Sequence, residues 1–385
     1  MTSSASKTIL NMTNFVFMGG LTVQKDIKLN NVKGVLIFLV VFAHLLGVSK
    51  SGLENMIEFI YSFHMPAFIF LNGYFSKRPS IKKVINLILL YVIFQTFFCV
   101  YRYYAGNFSV IQFTYGRPHT HLWYIVSLSS WYILAIILKK INTRKILKPA
   151  LLILLLAVSF YSRFYADEVI EFIKMYYSNM HTQTLSILRT FVFLPFFLAG
   201  LYCSRDLMSK IYSLLDKFKF KLFFTLAVSA LIFIILDFHH DKFDQLFFGF
   251  LGYQKFYIEN HSYTGIVFFH YSLAMLGIFL LLNIVGSGKN KLTQWGDNSL
   301  AIFLFHMIFV FPLFTHNSWL NEQNPDTRLV FCFTMALGIT SILGSRAFNR
   351  IVKYIIYPMK YLELFYARLF NQTDKNDEYK KRHIV

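Results

Sequence analysis

Lys33 and His44 stand eleven residues apart in the run KGVLIFLVVFAH. At a helical rise of about 1.5 Å per residue they are separated by about 16 Å, and three turns return them to nearly the same face. A neutral imidazole with a pKa of about 6.5 can remove a hydroxyl proton, and its nitrogen can also act as a nucleophile. Lys33 can meet an anionic group such as a nucleotide phosphate; it serves equally as an anchor at a membrane boundary. His64 lies in FHMPAFIFLNGYF, where Pro66 removes one helical hydrogen bond and can kink the chain beside the imidazole. Asn72 and Gly73 in the same run permit close approach of another helix or a ligand, although Pro and Gly are also ordinary packing variants in membrane helices.

Other ionisable residues interrupt apolar runs at Arg102, His121, Arg189, His270 and His306. Each costs about 2.5 to 3.5 kcal/mol inside a bilayer, so such positions are functional candidates by default. For His270, beside Tyr271 and without a motif, an interhelical hydrogen bond is the expected role. Arg102 near a helix end serves either function or a headgroup contact. His119 and His121 flank the membrane surface, and His239, His240, His261, His316 and His383 read as surface residues. Neither a dense acidic cluster nor a serine-nucleophile motif supplies a better nucleophile than the histidines. Cys99, Cys203 and Cys332 sit in apolar runs without CxxC spacing and read as small buried hydrophobes; no metal site is expected.

The elements that must position these groups are long apolar runs. Of 385 residues 56% are apolar, 19% aromatic and only 15% charged, and the mean hydropathy is +0.49. That is more apolar surface than one or two soluble cores can hide, which excludes an ordinary soluble domain, a disordered chain and a collagen-like repeat. Ten blocks read as spans: 31–49, 55–76, 83–104, 121–139, 148–163, 185–203, 219–237, 263–285, 297–315 and 327–348. The expected fold is therefore all-α, a polytopic membrane bundle of about ten helices. With a cytoplasmic start, about three quarters of the 38 lysines and arginines fall in inner segments, whereas Glu54, Glu58, Asp167, Glu168, Asp241 and Asp326 fall outside. Both termini are then cytoplasmic, and His44, His64, Arg102, His121, Arg189, His270 and His306 all lie between the membrane centre and the outer face. The net charge of +19 alternates with apolar blocks instead of lining one face, which argues against nucleic-acid binding. Residues 1–30 read as an uncleaved cytoplasmic or interfacial segment, 31–348 as the membrane domain, and 349–385 as a cytoplasmic amphipathic helix with a polar tail.

Five segments resemble the acyltransferase 3 family of integral membrane acyltransferases, especially its fucose 4-O-acetylase-like branch. They are KGVLIFLVVFAH, where Lys33 replaces the commoner Arg; FHMPAFIFLNGYF, the most specific; HLWYIVSL with His121, Leu122 and Trp123; RTFVFLPFFLAGLY with Arg189, Pro195, Phe196 and Gly200; and NSLAIFLFH with Asn298 and His306. The likeness runs from about residue 25 to 350; Leu90 precedes Tyr91 where the branch often has Pro-Tyr. It implies transfer of an acyl group, usually acetyl from acetyl-CoA, to a sugar hydroxyl of a surface glycan or its precursor, in a bacterial plasma membrane. On that implication His44 and His64 are the catalytic pair, with His44 as general base or transient acyl acceptor. Lys33 meets the donor phosphates, and Arg189, His121, His306, Asn72 and Trp123 bind substrate. Trp123, Tyr124 and Trp319 can stack on sugar rings or simply form an aromatic belt. The rival readings are a glycan or lipid-linked sugar flippase, for which no inverted repeat is visible, and a glycan polymerase, for which the outer loops are short.

Overall fold

A computed structural model describes residues 26–49, 51–141, 147–178, 180–217, 221–238, 246–252 and 263–363. The expected interfacial start, the polar tail beyond 363, and His239, His240, His261 and His383 lie outside the described residues.

Apolar runs in lipid must satisfy their own backbone groups, and the helix does this within one segment. The described helices are α1 (Ile27–Leu46), α2 (Glu54–Phe75), α3 (Ile81–Tyr104), α4 (Trp123–Ile141), α5 (Leu147–Tyr161), α6 (Ala166–Lys174), α7 (Ile187–Val192), α8 (Leu194–Tyr202) and α9 (Arg205–Asp216). There follow α10 (Lys221–Phe238), α11 (Tyr263–Ile284), α12 (Lys291–Asp297), α13 (Ser299–Phe305), α14 (Met307–Thr315), α15 (Ser318–Glu322), α16 (Pro325–Leu343) and α17 (Arg346–Ile356). Their starts carry the residues that accept from otherwise orphaned amides: Asp26 takes Leu29 N–H at 3.0 Å, Ser204 takes Leu207 N–H at 3.0 Å and Asn324 takes Thr327 N–H at 2.8 Å. Large apolar side chains remain on the periphery, such as Ile153 at 68% exposure, Phe223 at 74% and Val330 at 65%, and only a lipid surround makes that arrangement favourable.

Among the described residues, five helices are long and apolar enough to cross a membrane singly, and counting each of four bent pairs as one span gives up to nine. α2 is not among them; the polar residues in its middle are buried inside the bundle instead. Three sequence blocks that read as single spans contain or adjoin a sharp bend. The 148–163 block ends in a bend of 88° into α6, the 185–203 block bends by 56° between α7 and α8, and the 297–315 block follows a 68° bend after α12. Pro195 in the first turn of α8 forces the second break, because proline cannot donate back into α7. Pro66, by contrast, is carried inside a continuous α2.

α1 and α2 form the centre. α1 packs against α12 with Gly34 and Gly296 at the crossing: a Cβ on Gly34 would stand 2.1 Å from the Leu292 carbonyl oxygen, and one on Gly296 would stand 2.0 Å from that of Asn30. α2 meets α8 in the same way through Gly73 and Gly200, so the backbones touch where only glycine fits. One end of the bundle holds Lys28, Lys77, Lys82 and Lys221, with the start of α1 and the ends of α2 and α11; this is the basic end. α17 begins before residue 349 and is joined to α3 at that end through Asn86 and Ile356 (3.4 Å); its Val352 and Ile356 are buried.

Candidate active site

Near the opposite end, three imidazoles from separate parts of the chain meet. His306, at the junction of α13 and α14, has its ring centroid 5.3 Å from that of His44 on α1 and 5.2 Å from that of His121, two residues before α4. His306 Nδ1–H donates to the carbonyls of Phe303 at 2.8 Å and Ile302 at 3.1 Å. The neutral ring therefore keeps its lone pair on Nε2, and among the described residues nothing is bonded to that atom. His121 is wedged between Phe98 and Phe303, with centroids at 5.0 and 5.4 Å.

His64, in the middle of α2, repeats this device. Its Nδ1–H donates to the Ile60 carbonyl one turn back at 2.7 Å, which leaves Nε2 as acceptor, and its ring meets Tyr61 edge-on at 4.8 Å. His306, His64 and Arg189 all lie within electrostatic reach of His44. Arg189 comes from α7 through a strained approach: Leu185 and Ser186 adopt left-handed backbone at φ 45° and 56°, and Leu185 N–H bonds the Gly116 carbonyl at 2.7 Å. Its guanidinium is stacked between Trp123 and Phe250, each at 4.8 Å, while Nε–H donates to the Phe248 carbonyl at 2.9 Å. The centre thus combines imidazole acceptors of defined tautomer with a half-buried cation in an aromatic wall. That set can take a proton from a hydroxyl and stabilise a developing oxyanion in a water-poor space.

The structure sorts the other sequence candidates. Trp123 belongs to the centre as the face beneath Arg189, and it also stacks on Phe193 at 5.7 Å. Asn72 does not: its amide donates to the Phe68 carbonyl at 3.0 Å and to the Tyr124 hydroxyl, so it ties α2 to α4. Lys33 lies toward the basic end, with its ammonium 6.0 Å from the Phe75 ring centroid, away from the imidazoles as the eleven-residue spacing requires. Arg102 turns inward instead of reaching for headgroups. It lies over the rings of Phe108 (3.8 Å) and Phe311 (4.7 Å) and donates from Nη1 to His119 Nδ1 at 3.1 Å. His119 is consequently a buried residue, not a solvated one, and burial together with the Arg102 guanidinium pushes its imidazole down to about 4. His270 is fully buried against Phe247 and Tyr271, but among the described residues neither ring nitrogen makes the expected interhelical bond. His316 is exposed, and the three cysteines are buried and free. Among the described residues no group of three or more His, Cys, Asp or Glu is arranged to hold a metal ion.

Sequence reasoning missed Tyr61 and the segment 246–252. Arg163 holds that segment through the carbonyls of Leu251 (2.8 Å) and Leu246 (3.1 Å), which sets Phe248 on Tyr61 at 4.5 Å and Phe250 on Arg189. No motif surrounds these aromatics in a chain that has 45 phenylalanines, so their type carried no signal.

A multi-helix apolar bundle that gathers imidazoles and an arginine in its interior defines a membrane protein built for acid–base or group-transfer chemistry. The model of the acyltransferase domain family Acyl_transf_3 matches residues 26–345, a range that includes every residue of this centre, and the chain belongs to that acyltransferase family. It is a membrane acyltransferase, and the match does not favour a transporter. No curated protein and no solved structure matches the chain.

Proposed function

We propose that the chain is a membrane O-acetyltransferase that moves an acetyl group from cytoplasmic acetyl-CoA to a sugar hydroxyl of a surface polysaccharide or its lipid-linked precursor. The observation that carries this reading is the meeting of His44, His121 and His306 about one point, with two tautomer-defined imidazole acceptors, His306 and His64, in the same region.

The positive-inside distribution puts the basic end in the cytoplasm. There a cavity of about 520 Å³, within the range of small-molecule sites, is lined by Lys28 and Lys221 together with Asp26 and Asp216, so its charges balance. The cation assigned to the donor phosphates is Lys33, which lies between this end and the imidazoles. The acceptor enters from the other side. His44 removes the hydroxyl proton, the alkoxide oxygen attacks the thioester carbonyl, and Arg189 stabilises the negative charge that forms on the carbonyl oxygen. Collapse breaks the carbon–sulfur bond, and the imidazolium returns its proton to the departing thiolate. In a two-step version the His44 nitrogen carries the acetyl group between donor and acceptor, with His64 or His306 as the base. The likeness to fucose 4-O-acetylases supports a sugar hydroxyl as acceptor and a bacterial plasma membrane as the site.

The test is the O-acetyl content, by NMR, of surface polysaccharide from cells lacking the gene and complemented with the native chain or with His44→Ala at equal membrane abundance. Acetyl groups lost on deletion, restored by the native chain and not by the variant, bear the reading out. Polysaccharide that keeps its acetyl groups but falls in amount or length overturns it in favour of transport or polymerisation.

A further inference from the structure

Arg328 is a buried cation outside the imidazole centre. It stands in the first turn of α16, is 6% exposed, and donates from Nη1 to Ser49 Oγ at 3.0 Å. Among the described residues its buried Nε has no partner and no carboxylate lies within ion-pair distance. Asp326, two residues earlier, is exposed to solvent and does not pair with it. Gly52, in left-handed backbone at φ 77°, passes beside Nη2 and adds no side chain there.

Arg328 is not alone in lacking an acid. Arg102 and Arg189, at the same end of the bundle, are held by ring faces, an imidazole nitrogen and a carbonyl oxygen, without a carboxylate. At the basic end lysines do find acids: Lys221 pairs with Asp216 (2.6 Å) and Lys82 with Glu363 (2.8 Å). A buried guanidinium costs several kcal/mol of desolvation, which hydrogen bonds to a hydroxyl recover only in part, so the arrangement favours a negative partner from outside the chain.

Position says what that partner accompanies. Ser49 follows His44 by five residues, just past the end of α1 at Leu46, and Gly47 N–H and Val48 N–H bond back to Ala43 and Leu45, so the turn that carries Ser49 closes the same end of α1 that holds His44. We infer that Arg328 and Ser49 form an anion subsite at the acceptor side, so that the accepting glycan carries a carboxylate or phosphate. This rests on the O-acetyltransferase reading for its acceptor, but anion binding can be measured without it.

The purified full chain in neutral detergent, as native protein, Arg328→Gln, Arg328→Lys and Ser49→Ala, is titrated with glucuronate, inorganic phosphate and glucose at constant ionic strength set with chloride, reading the thermal unfolding midpoint. Glucuronate or phosphate raises the midpoint of the native chain, glucose does not, and the stronger of the two anions identifies the group as carboxylate or phosphate. Arg328→Gln weakens that binding by about 10- to 100-fold, and Arg328→Lys, which keeps the charge without the planar fork, by less. Ser49→Ala, which leaves the arginine in place, weakens it by about 3- to 10-fold and decides the matter if Arg328→Gln does not fold. Equal anion shifts in native and variant chains, or no anion shift in the native chain, overturn the subsite. Acetyl-CoA hydrolysis is followed in parallel. A native chain that binds anions through Arg328 but neither hydrolyses acetyl-CoA nor transfers its acetyl group sinks the functional reading and leaves the subsite standing.

Discussion

Gly200→Ala and Gly338→Ala are the same chemical change with opposite expected signs. A Cβ on Gly200 would stand 1.9 Å from the Phe70 carbonyl oxygen and 2.8 Å from Tyr74 N, where ordinary contact begins at 3.4 Å, so α8 and α2 must part by about 1.5 Å. The obstacle is backbone on both sides, not the end of a flexible side chain, and the reciprocal contact of Gly73 with Phe197 removes any slack. Overpacking of this kind costs about 1 to 3 kcal/mol, and the upper part of that range applies here. Gly338 is inside α16 with nothing within 4 Å of its would-be Cβ, so alanine there removes only backbone freedom and adds about 0.5 to 1 kcal/mol of stability. Cys99, Cys203 and Cys332, all buried and free, provide the assay: a thiol-reactive fluorophore reports the midpoint of heat unfolding of the detergent-solubilised chain. At about 1 °C per kcal/mol for a chain of 385 residues, Gly200→Ala lowers the midpoint by about 2 to 4 °C and Gly338→Ala raises it by about 1 °C. Displacing α2 also moves His64, and a misplacement of about 1 Å can lower turnover by about 100-fold. A Gly200→Ala midpoint at or above the native value, or a fall of equal size in both variants, refutes the backbone-contact argument.

His306→Gln keeps the size of the side chain but removes the imidazole lone pair, and is expected to lower acetyl transfer by about 10²- to 10⁴-fold with little change in donor affinity; a loss under about threefold counts against His306 as part of the centre. The His119 imidazole, held down to about 4 in the folded chain by burial and Arg102, titrates at about 6.5 when unfolded. The unfolded state therefore binds the proton first, and stability is full above about 6.5 and declines as pH falls toward 4, by up to about 3 kcal/mol. Unfolding midpoints measured across that window fall more steeply for the native chain than for His119→Gln; parallel pH curves would be the contrary result. For His44 the polysaccharide assay gives the corresponding test, loss of O-acetyl groups in His44→Ala at equal abundance.

How much of this was legible in the sequence depends on the range of the forces involved. Composition and apolar run length determined that the chain is helical and belongs in a membrane, because a bilayer leaves an apolar segment no other way to satisfy its amides. The same local logic made free buried residues of the cysteines and put Lys33 and His44 on one face about 16 Å apart, since each depends on neighbours within a few turns. The motifs, read as a likeness, led to the family that the match over 26–345 shows. What local pattern does not encode is which helix lies against which. The sequence offered Asn72 as a binding residue without showing that its amide meets Phe68 and Tyr124, and it read His119 as a surface group and left Arg102 open, where the fold sets the two facing each other. The docking of α8 on α2 and of α12 on α1, and the meeting of His44, His121 and His306, are decided by backbone contact at glycines and by ring packing between segments far apart in the chain. Apolar periodicity marks a face as buried, but every buried face here is rich in Phe and Leu. Shape, which exists only once the helices are docked, selects the partner.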